Sequence, residues 1–313
     1  MSGFLQVTAK VSGKGCDERM KKLLFILNPN AGKGLIKNKL LRIVDIMVKE
    51  GFEVTIYPTQ AREDALHMVK ERAKEFDLVV CSGGDGTLDE AVNGMMHSEE
   101  KVPLGYIPAG STNDFANSLK IPRDMVKAAK IAAAGRKFAC DVGQFNDKLF
   151  VYVAAFGIFT EVSYKTSQEW KNILGHAAYI LEGVKSLPEI TSYHMRVECE
   201  EILIEDDFIY GMITNSNSVG GFKNMTGKNV QMDDGKFEVT LIRMPKSFAE
   251  LNEILASLTK LIDNTDLIYS FKSDRILFSS PEEVAWTLDG EFGGSCKEAS
   301  VFNIQKAIEI MVK

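Results

Sequence analysis

The sequence predicts a protein of two parts: an α/β domain with a parallel sheet covered by helices on both faces, and a mostly antiparallel, strand-rich domain after it. Three observations lead to this prediction. At 313 residues, the chain is longer than one hydrophobic core usually supports. In the first part, short apolar runs alternate with helical patterns, which is typical of parallel sheets. Beyond about Asp141, strand-like runs dominate.

The first part contains four apolar runs that are predicted to be buried strands, each followed by a loop and a helical pattern. Because the carboxyl ends of parallel strands meet at one edge of a sheet, we expect the loops at Asn28, Thr59, Ser82 and Pro108 to open there, where α/β sheets bind ligands. The predicted strands are 23–27, 52–57, 78–81 and 102–107, and the helices are 35–50, 63–74, 88–95, 113–119 and 125–134.

The second part is predicted to be strand-rich with two helical insertions. The strands are expected at 148–156, 193–199, 202–205, 208–214, 236–243, 267–271, 275–279, 284–288 and 300–304, and the helices at 169–186 and 248–262.

The loop after the third strand reads Ser-Gly-Gly-Asp-Gly-Thr over residues 82–87. Glycines permit positive φ angles and leave the backbone accessible, so several N–H groups can face one ligand at the N-terminus of the next helix. Such a loop is an anion site. Asp85 within it indicates a metal ion that bridges the carboxylate to phosphate. An ordinary strand-to-helix turn is the alternative.

The first loop ends in Gly32-Lys33-Gly34 but is not a P-loop, because that motif requires glycine at the position of Leu27 and Ser or Thr at the position of Gly34. A phosphate site without the P-loop lysine relies on backbone N–H groups, metal ions and short polar side chains. Asn28 and Ser111 suit that role, although helix capping explains either residue about equally well. The helix dipole alone accounts for Asp89 and Glu90.

Two later stretches pair carboxylates around a glycine. Asp233 and Asp234 precede Gly235 and could bind Mg²⁺, but an Asp-Gly turn explains them more simply. Asp289 and Glu291 flank a glycine after an apolar strand, where a carboxylate can act as general base for a hydroxyl nucleophile. A turn is again the alternative.

Composition excludes several other classes of protein. A formal net charge of -6 argues against nucleic acid as the main partner. The five cysteines are scattered without CxxC spacing, which indicates reduced thiols in the cytoplasm and neither a zinc site nor a disulfide framework. No apolar run approaches the ~20 residues of a membrane span. Residues 1–19 lack the apolar core of a signal peptide and are predicted to be a flexible leader.

Taken together, five motifs resemble the bacterial diacylglycerol kinase-like lipid kinases, from residue 20 to the end of the chain. They are Asn28-Pro29 to Gly32, SGGDGT with Asn93-Gly94, PAGSTNDFA at 108–116, the Asp-Asp-Gly turn at 233–235 and LDGE at 288–291. GGDGT alone is shared with NAD kinases. Its combination with NDFA and the late DGE favours the lipid kinases.

The resemblance implies a role for particular residues. Asp289 and Glu291 fall at the catalytic carboxylates, with their roles unseparated, and Asp234 falls at a Mg²⁺ site with backbone carbonyls near Gln231 and Lys236. Asp89 departs from the family, which usually has asparagine there. ATP is expected at Asn28, Pro29, Asn30, Ala31, Gly32, Thr59, Gly83, Gly84, Asp85, Gly86, Thr87, Leu88, Asp89 and Ser111.

The resemblance also implies the domains and the reaction. An ATP-binding domain is expected over 20–143, to which 302–313 returns, and a lipid-substrate domain over 144–301. The expected reaction is Mg²⁺-dependent transfer of the γ-phosphoryl group of ATP to a lipid hydroxyl, with diacylglycerol as acceptor and phosphatidic acid as product. The protein would meet its lipid transiently at the membrane surface, without a transmembrane segment, and a homodimer is left open.

Two alternative functions stay open. One is a kinase for a soluble acceptor, similar to NAD kinase. The other is a nucleotide-binding regulator without transferase activity, which Asp89 favours because an extra carboxylate near ATP phosphates could weaken nucleotide binding.

Overall fold

The structure is a computed structural model that describes residues 5–7, 19–158, 191–200, 202–219, 222–223, 230–260 and 265–313. It divides into two units, the first formed by Met1–Cys140 with Lys306–Lys313 and the second by Asp141–Gln305. The predicted α/β first part and strand-rich second part are confirmed. The helix predicted at 169–186 lies outside the described residues.

The sheet of the first unit contains the strands β1 Leu5–Val7, β2 Lys21–Leu27, β3 Phe52–Pro58, β4 Leu78–Gly83 and β5 Leu104–Pro108, and the end of β16 Glu291–Val312. Their order is β1-β3-β2-β4-β5-β16. β2 pairs in parallel with β3 and β4, and β4 with β5, while Ile310 near the end of β16 pairs in parallel with Leu104. The loops that follow β2, β3, β4 and β5 therefore leave one edge of the sheet.

The helices of the first unit pack in two pairs, α1 with α5 and α2 with α3. The β2-to-β3 connection, which contains α1, crosses the sheet in the opposite direction from the β3-to-β4 and β4-to-β5 connections, which contain α2 and α3. Right-handed connections therefore place the two helix pairs on opposite faces of the sheet. The helices are α1 Leu40–Lys49, α2 Asp64–Arg72, α3 Asp85–Met96, α4 Asp114–Ser118 and α5 Met125–Ala134, with 3-10 helices at Ala31–Asn38 and Ala73–Glu75.

Two boundaries in the first unit differ from the sequence prediction. The single helix predicted at 35–50 is a 3-10 helix followed by α1, because Gly32 and Gly34 have positive φ angles of 55° and 71° and the turn closes where Lys39 N–H donates to the carbonyl of Ile36. α3 begins at Asp85, three residues before the first apolar residue of its pattern. The N-terminal segment contains β1, which pairs antiparallel with β3 and which the sequence did not predict.

The second unit is an antiparallel sheet of order β16-β15-β8-β10-β13-β14, with β9 paired to β10 and β15. Its core is aromatic: Trp286 contacts Phe145, Phe156 and Phe278 at centroid distances of 4.8 to 5.1 Å. The elements are β6 Arg136–Phe145, β7 Lys148–Phe150, β8 Val153–Gly157, β9 Tyr193–Cys199, β10 Ile202–Thr214, β11 Ser218–Val219, β12 Phe222–Lys223, β13 Phe237–Arg243, α6 Phe248–Lys260, β14 Ile268–Ser273, β15 Arg275–Leu288 and β16 Glu291–Val312.

Six predicted strands in the second unit were wrong in extent, among them the strand predicted at 300–304, which lies inside the longer β16. The strands predicted at 202–205 and 208–214 are one strand, β10. Those at 275–279 and 284–288 are also one, β15, whose register shifts between Ser279 and Val284. The strand predicted at 148–156 is two, β7 and β8, with Val151 and Tyr152 between them. Among the described residues, no helix is both long and apolar enough to cross a membrane.

Candidate active site

Asn28 joins the loop after β2 to the glycine-rich loop after β4. Its backbone N–H donates to the carbonyl of Ser82 at 2.8 Å, and its side-chain Nδ2 lies 3.5 Å from Thr87 Oγ1. Its Oδ1 accepts the N–H of Asn30 at 3.0 Å, which closes a local Asx turn. Thr59 is close by, because its N–H donates to the carbonyl of Leu27 at 2.9 Å.

Glycines allow the loops after β2, β4 and β5 to come together. A Cβ on Gly32, where φ is 55°, would lie 2.0 Å from the carbonyl oxygen of Ala109, and a Cβ on Gly110 would lie 2.7 Å from Cα of Gly84. Neither position accepts a larger residue without displacing backbone. The structure thus brings together three of the four loops whose convergence the sequence predicted, and Thr59 adds the fourth beside Leu27.

Asp85 holds the loop after β5 through its carboxylate. Oδ2 accepts hydrogen bonds from Thr112 Oγ1 and from Asn113 N–H, both at 3.0 Å. Oδ1 is buried without a hydrogen-bond partner among the described residues. Burial, with a smaller contribution from Asp114, raises the pKa of Asp85 to about 6. The structure shows the bonds of Oδ2 to the protein, and the metal contact expected of this carboxylate from sequence stays a prediction.

Asn113 and Tyr106 complete this contact, and the sequence analysis gave neither a role in the site. Asn113 adopts a left-handed conformation with φ of 53°, and its side chain accepts the N–H of Gly110 and donates to the carbonyl of Gly110, each at 2.8 Å. At the N-cap position of α4, its side chain makes no capping hydrogen bond. Tyr106 Oη is buried 3.2 Å from the carbonyl oxygen of Gly83 and 3.3 Å from Asn113 Oδ1. Asn113 lies within PAGSTNDFA, but no sequence signal pointed to Tyr106.

The remaining acidic residues of α3 are bonded within the first unit. Oδ1 of Asp89 accepts from Asn93 Nδ2 at 2.9 Å, one turn further along the helix. The carboxylate of Glu90 accepts the N–H groups of Glu63 and Ala65 at 2.9 and 3.2 Å and so caps α2. Gly86 in the first turn of α3 and Ser111 in the loop after β5 are exposed, so an anion can reach the first turn of α3.

The turn at residues 233–235, the Asp234 turn, is held by an ion pair with Lys272 and by a hydrogen bond to a buried carboxylate. Asp234 Oδ1 accepts the N–H of Lys236 at 3.0 Å, and Oδ2 lies 3.1 Å from Lys272 Nζ. Lys272 also pairs with Glu238 at 2.8 Å. Gly235 has φ of 78°, and its N–H donates to Oδ2 of the buried Asp141 at 2.8 Å.

This turn offers oxygen donors of the kind that a hard cation binds. Asp234 and Glu238 both lie against the ammonium of Lys272, burial raises the pKa of Glu238 to about 7, and Gln231 and Lys236 are exposed near Asp234 in sequence. In the described part of the chain, no three His, Cys, Asp or Glu side chains are grouped to hold a metal ion. Any cation here would therefore rely on one carboxylate, carbonyls and water.

Asp289 and Glu291 lie on the β15–β16 hairpin in different surroundings. Asp289, at φ of 51°, accepts the N–H groups of Val151, Tyr152 and Val153 at 2.5 to 2.9 Å. These bonds account for the break between β7 and β8, since the amides turn toward a carboxylate instead of a neighbouring strand. Glu291 begins β16 and is exposed.

The first unit is an α/β fold with glycine-rich loops at one sheet edge, and the second is a strand-rich fold that carries the carboxylates of Asp234, Asp289 and Glu291. These two units are those expected of a kinase that binds its nucleotide on an α/β fold. Residues 22–145 match the family described as diacylglycerol kinase catalytic domain. A diacylglycerol kinase of Staphylococcus carnosus (strain TM300) is 34% identical over 293 residues, covering 93% of this chain and 94% of the relative. One of Bacillus subtilis (strain 168) is 34% identical over 279 residues, covering 88% and 91%. The chain belongs to the diacylglycerol kinase family.

Solved structures agree with this assignment. A protein from Bacillus anthracis str. Sterne, assigned as a diacylglycerol kinase, superposes with a TM-score of 0.79 at 26% identity, covering 94% of this chain and 98% of that one. A second structure of a diacylglycerol kinase from the same organism shares the fold, with a TM-score of 0.75 at 23% identity.

Proposed function

We propose that the protein transfers the γ-phosphoryl group of ATP to the hydroxyl group of diacylglycerol, forming phosphatidic acid and ADP. The observation that carries this proposal is the close approach of Gly32 to Ala109 and of Gly84 to Gly110, which leaves backbone N–H groups at one sheet edge with no side chain in the way. The relatives named diacylglycerol kinase support the choice of acceptor. Acting on such a lipid requires transient contact with a membrane surface.

The first unit binds the donor. The N-terminus of α3 offers backbone N–H groups and the positive end of the helix dipole to the phosphates of ATP. Asn28, Thr87 and Ser111 add polar side chains at the same edge. Asp85 fixes the loop after β5 against α3 and so keeps these groups in one arrangement before ATP binds.

A divalent cation is expected at the Asp234 turn. The Asp234 carboxylate with the carbonyl groups of Gln231 and Lys236 would hold it, and Asp141 keeps the turn in shape through Gly235. When bound, Mg²⁺ would supply positive charge that neutralises the negative charge on the phosphoryl group during its transfer.

The second unit activates the acceptor, and we assign the general base to Glu291. Both oxygens of Asp289 already accept backbone N–H groups, so taking a proton from an acceptor would cost Asp289 existing hydrogen bonds. Glu291 is exposed two residues later. As the hydroxyl oxygen bonds to the γ-phosphorus, its proton passes to Glu291, and the bond to the bridging β–γ oxygen breaks to release ADP.

The test is transfer of ³²P from γ-labelled ATP to diacylglycerol in detergent micelles. Glu291→Gln is expected to lower kcat by about 10²- to 10⁴-fold, the usual contribution of a general base, without changing Tm. Glu298→Gln, an exposed carboxylate further along β16, is the matched control and should match the wild type. Full activity in Glu291→Gln would refute the assignment of the base. Transfer to NAD in place of lipid would refute the acceptor.

A further inference from the structure

Tyr106 carries a hydroxyl group that packing alone does not explain. The side chain lies on β5 and is only 1% exposed. Burying a hydroxyl group costs free energy unless it is hydrogen-bonded. Its Oη lies 3.2 Å from the carbonyl oxygen of Gly83 and 3.3 Å from Oδ1 of Asn113. The hydroxyl therefore lies between the end of β4 and the loop after β5.

The carbonyl of Gly83 is the more informative of these two contacts. It also accepts the N–H of Ala109 at 2.7 Å, so two donors from β5 and its loop lie on one side of this oxygen. In a trans peptide, the C=O of one residue and the N–H of the next point in opposite directions within one plane. Holding the Gly83 carbonyl toward Tyr106 therefore turns the N–H of Gly84 away from β5.

We propose that Tyr106 is a positioning residue that fixes the Gly83–Gly84 peptide so that the Gly84 N–H faces the phosphates of the donor nucleotide. The proposal rests on the proposed function and deepens it, because it names the part of the donor that this loop recognises. Gly84 is the residue that precedes α3, where backbone N–H groups and the helix dipole both favour an anion.

Asn113 connects the hydroxyl group of Tyr106 to the loop after β5 and to α3. Its Oδ1 accepts the N–H of Gly110 and its backbone N–H donates to Asp85, so the hydroxyl of Tyr106 joins a set of bonds that runs from β4 to α3. Burial and the nearby Asp85 hold the pKa of Tyr106 well above its usual value, so the hydroxyl keeps its proton and remains a donor.

The test compares nucleotides that differ in phosphate number, with binding measured by titration calorimetry in the absence of acceptor. Tyr106→Phe keeps the ring and removes only the hydroxyl. Because one hydrogen bond is lost, we expect the Kd for ATP to rise about 3- to 10-fold, while the Kd for AMP stays unchanged. A role in stability alone would lower Tm and leave the ratio of the two Kd values as it was.

Two further variants make the result decisive. Tyr210→Phe removes another buried tyrosine hydroxyl, from β10 of the second unit, and should leave both Kd values unchanged. Asn113→Gly keeps the left-handed conformation and removes the side chain. It should weaken ATP binding in the same selective way even if Tyr106→Phe fails to fold.

The positioning role would be overturned if Tyr106→Phe and Asn113→Gly bound ATP as tightly as the wild type. It would also be overturned if the two variants lost as much affinity for AMP as for ATP. Failure of the proposed function gives a different result. In that case the wild type either does not bind ATP, which overturns both proposals, or binds ATP selectively through Tyr106 but transfers no phosphoryl group to diacylglycerol.

Discussion

Asp289 and Glu291 illustrate at the residue scale how neighbours in sequence acquire different roles. Both carboxylates flank Gly290 on the β15–β16 hairpin. Asp289 is bonded to three successive amides of residues 151–153, whereas Glu291 is exposed at the start of β16. Sequence alone could not separate them, because the amides that bind Asp289 lie more than 130 residues earlier in the chain.

Asp289→Asn should therefore lower stability as well as activity. An asparagine side chain is neutral and has one acceptor oxygen where the carboxylate has two, so all three amides lose a charged partner and at least one of them loses its acceptor. We expect the free energy of unfolding, measured in urea, to fall by about 1–3 kcal/mol, the cost of removing a hydrogen bond to a charged group. Glu291→Gln is the comparison. Equal unfolding midpoints for the two variants would contradict the structural role of Asp289.

Asp85 should make stability depend on pH. Its pKa is raised to about 6 in the folded protein from 3.8, so between about pH 4 and 6 the folded state binds more protons than the unfolded state. Stability contributed by this group is present at low pH and falls as pH rises through that window. Asp85→Asn has no carboxyl group to titrate at this position. As pH rises from 4 to 7, the wild type should therefore lose stability that the variant keeps, so the variant gains stability relative to the wild type.

Urea unfolding of both proteins across this range measures the difference, in which the other titrating groups cancel. The expected relative gain is on the order of 1–3 kcal/mol. A difference that stays constant from pH 4 to 7 would mean that the carboxyl group titrates normally.

At the scale of elements, the loops of the first unit were predictable and the contacts between them were not. Apolar runs and glycines are local signals, so the sequence placed Asn28, Gly83 to Thr87 and Ser111 at strand ends, where the structure has them. The bond of Tyr106 to Gly83 joins residues 23 apart, and no periodicity records such a pair. The bonds of Asp85 were not predictable for the same reason, since its partners Thr112 and Asn113 belong to another element.

Gly32→Ala tests the packing of these loops. Alanine at a positive φ costs about 1–2 kcal/mol, and here its Cβ would also lie 2.0 Å from the carbonyl of Ala109. Gly51→Ala is the matched control, because φ is 89° and nothing lies within 4 Å of its Cβ. Both variants should lose stability in urea unfolding, but only Gly32→Ala should also lose affinity for ATP in calorimetry. Equal ATP affinity in the two variants would show that the loops do not depend on this contact.

For the whole molecule, the first unit is assembled from both ends of the chain. Lys306–Lys313 belong to it although the 165 residues between them and Cys140 form the second unit. Ile310 is fully buried and pairs with Leu104 on β5, and the carbonyl of Ala307 accepts from Lys101 Nζ at 3.0 Å. The unit that carries the donor loops therefore includes residues 306–313 as part of its sheet and its buried core.

Ile310→Ala tests the contribution of these residues to the unit. Truncating a buried isoleucine costs about 2–5 kcal/mol, because the cavity left behind closes only in part, and β5, which lies beside it, carries Tyr106 and leads into the loop at Gly110. We therefore expect a lower unfolding midpoint together with weaker ATP binding, although the substitution lies about 200 residues from that loop in sequence. Glu309→Ala, whose side chain pairs with Lys137 at the surface, should change stability by less than about 1 kcal/mol. If Ile310→Ala lost no more stability than Glu309→Ala, the end of the chain would be dispensable to the donor unit.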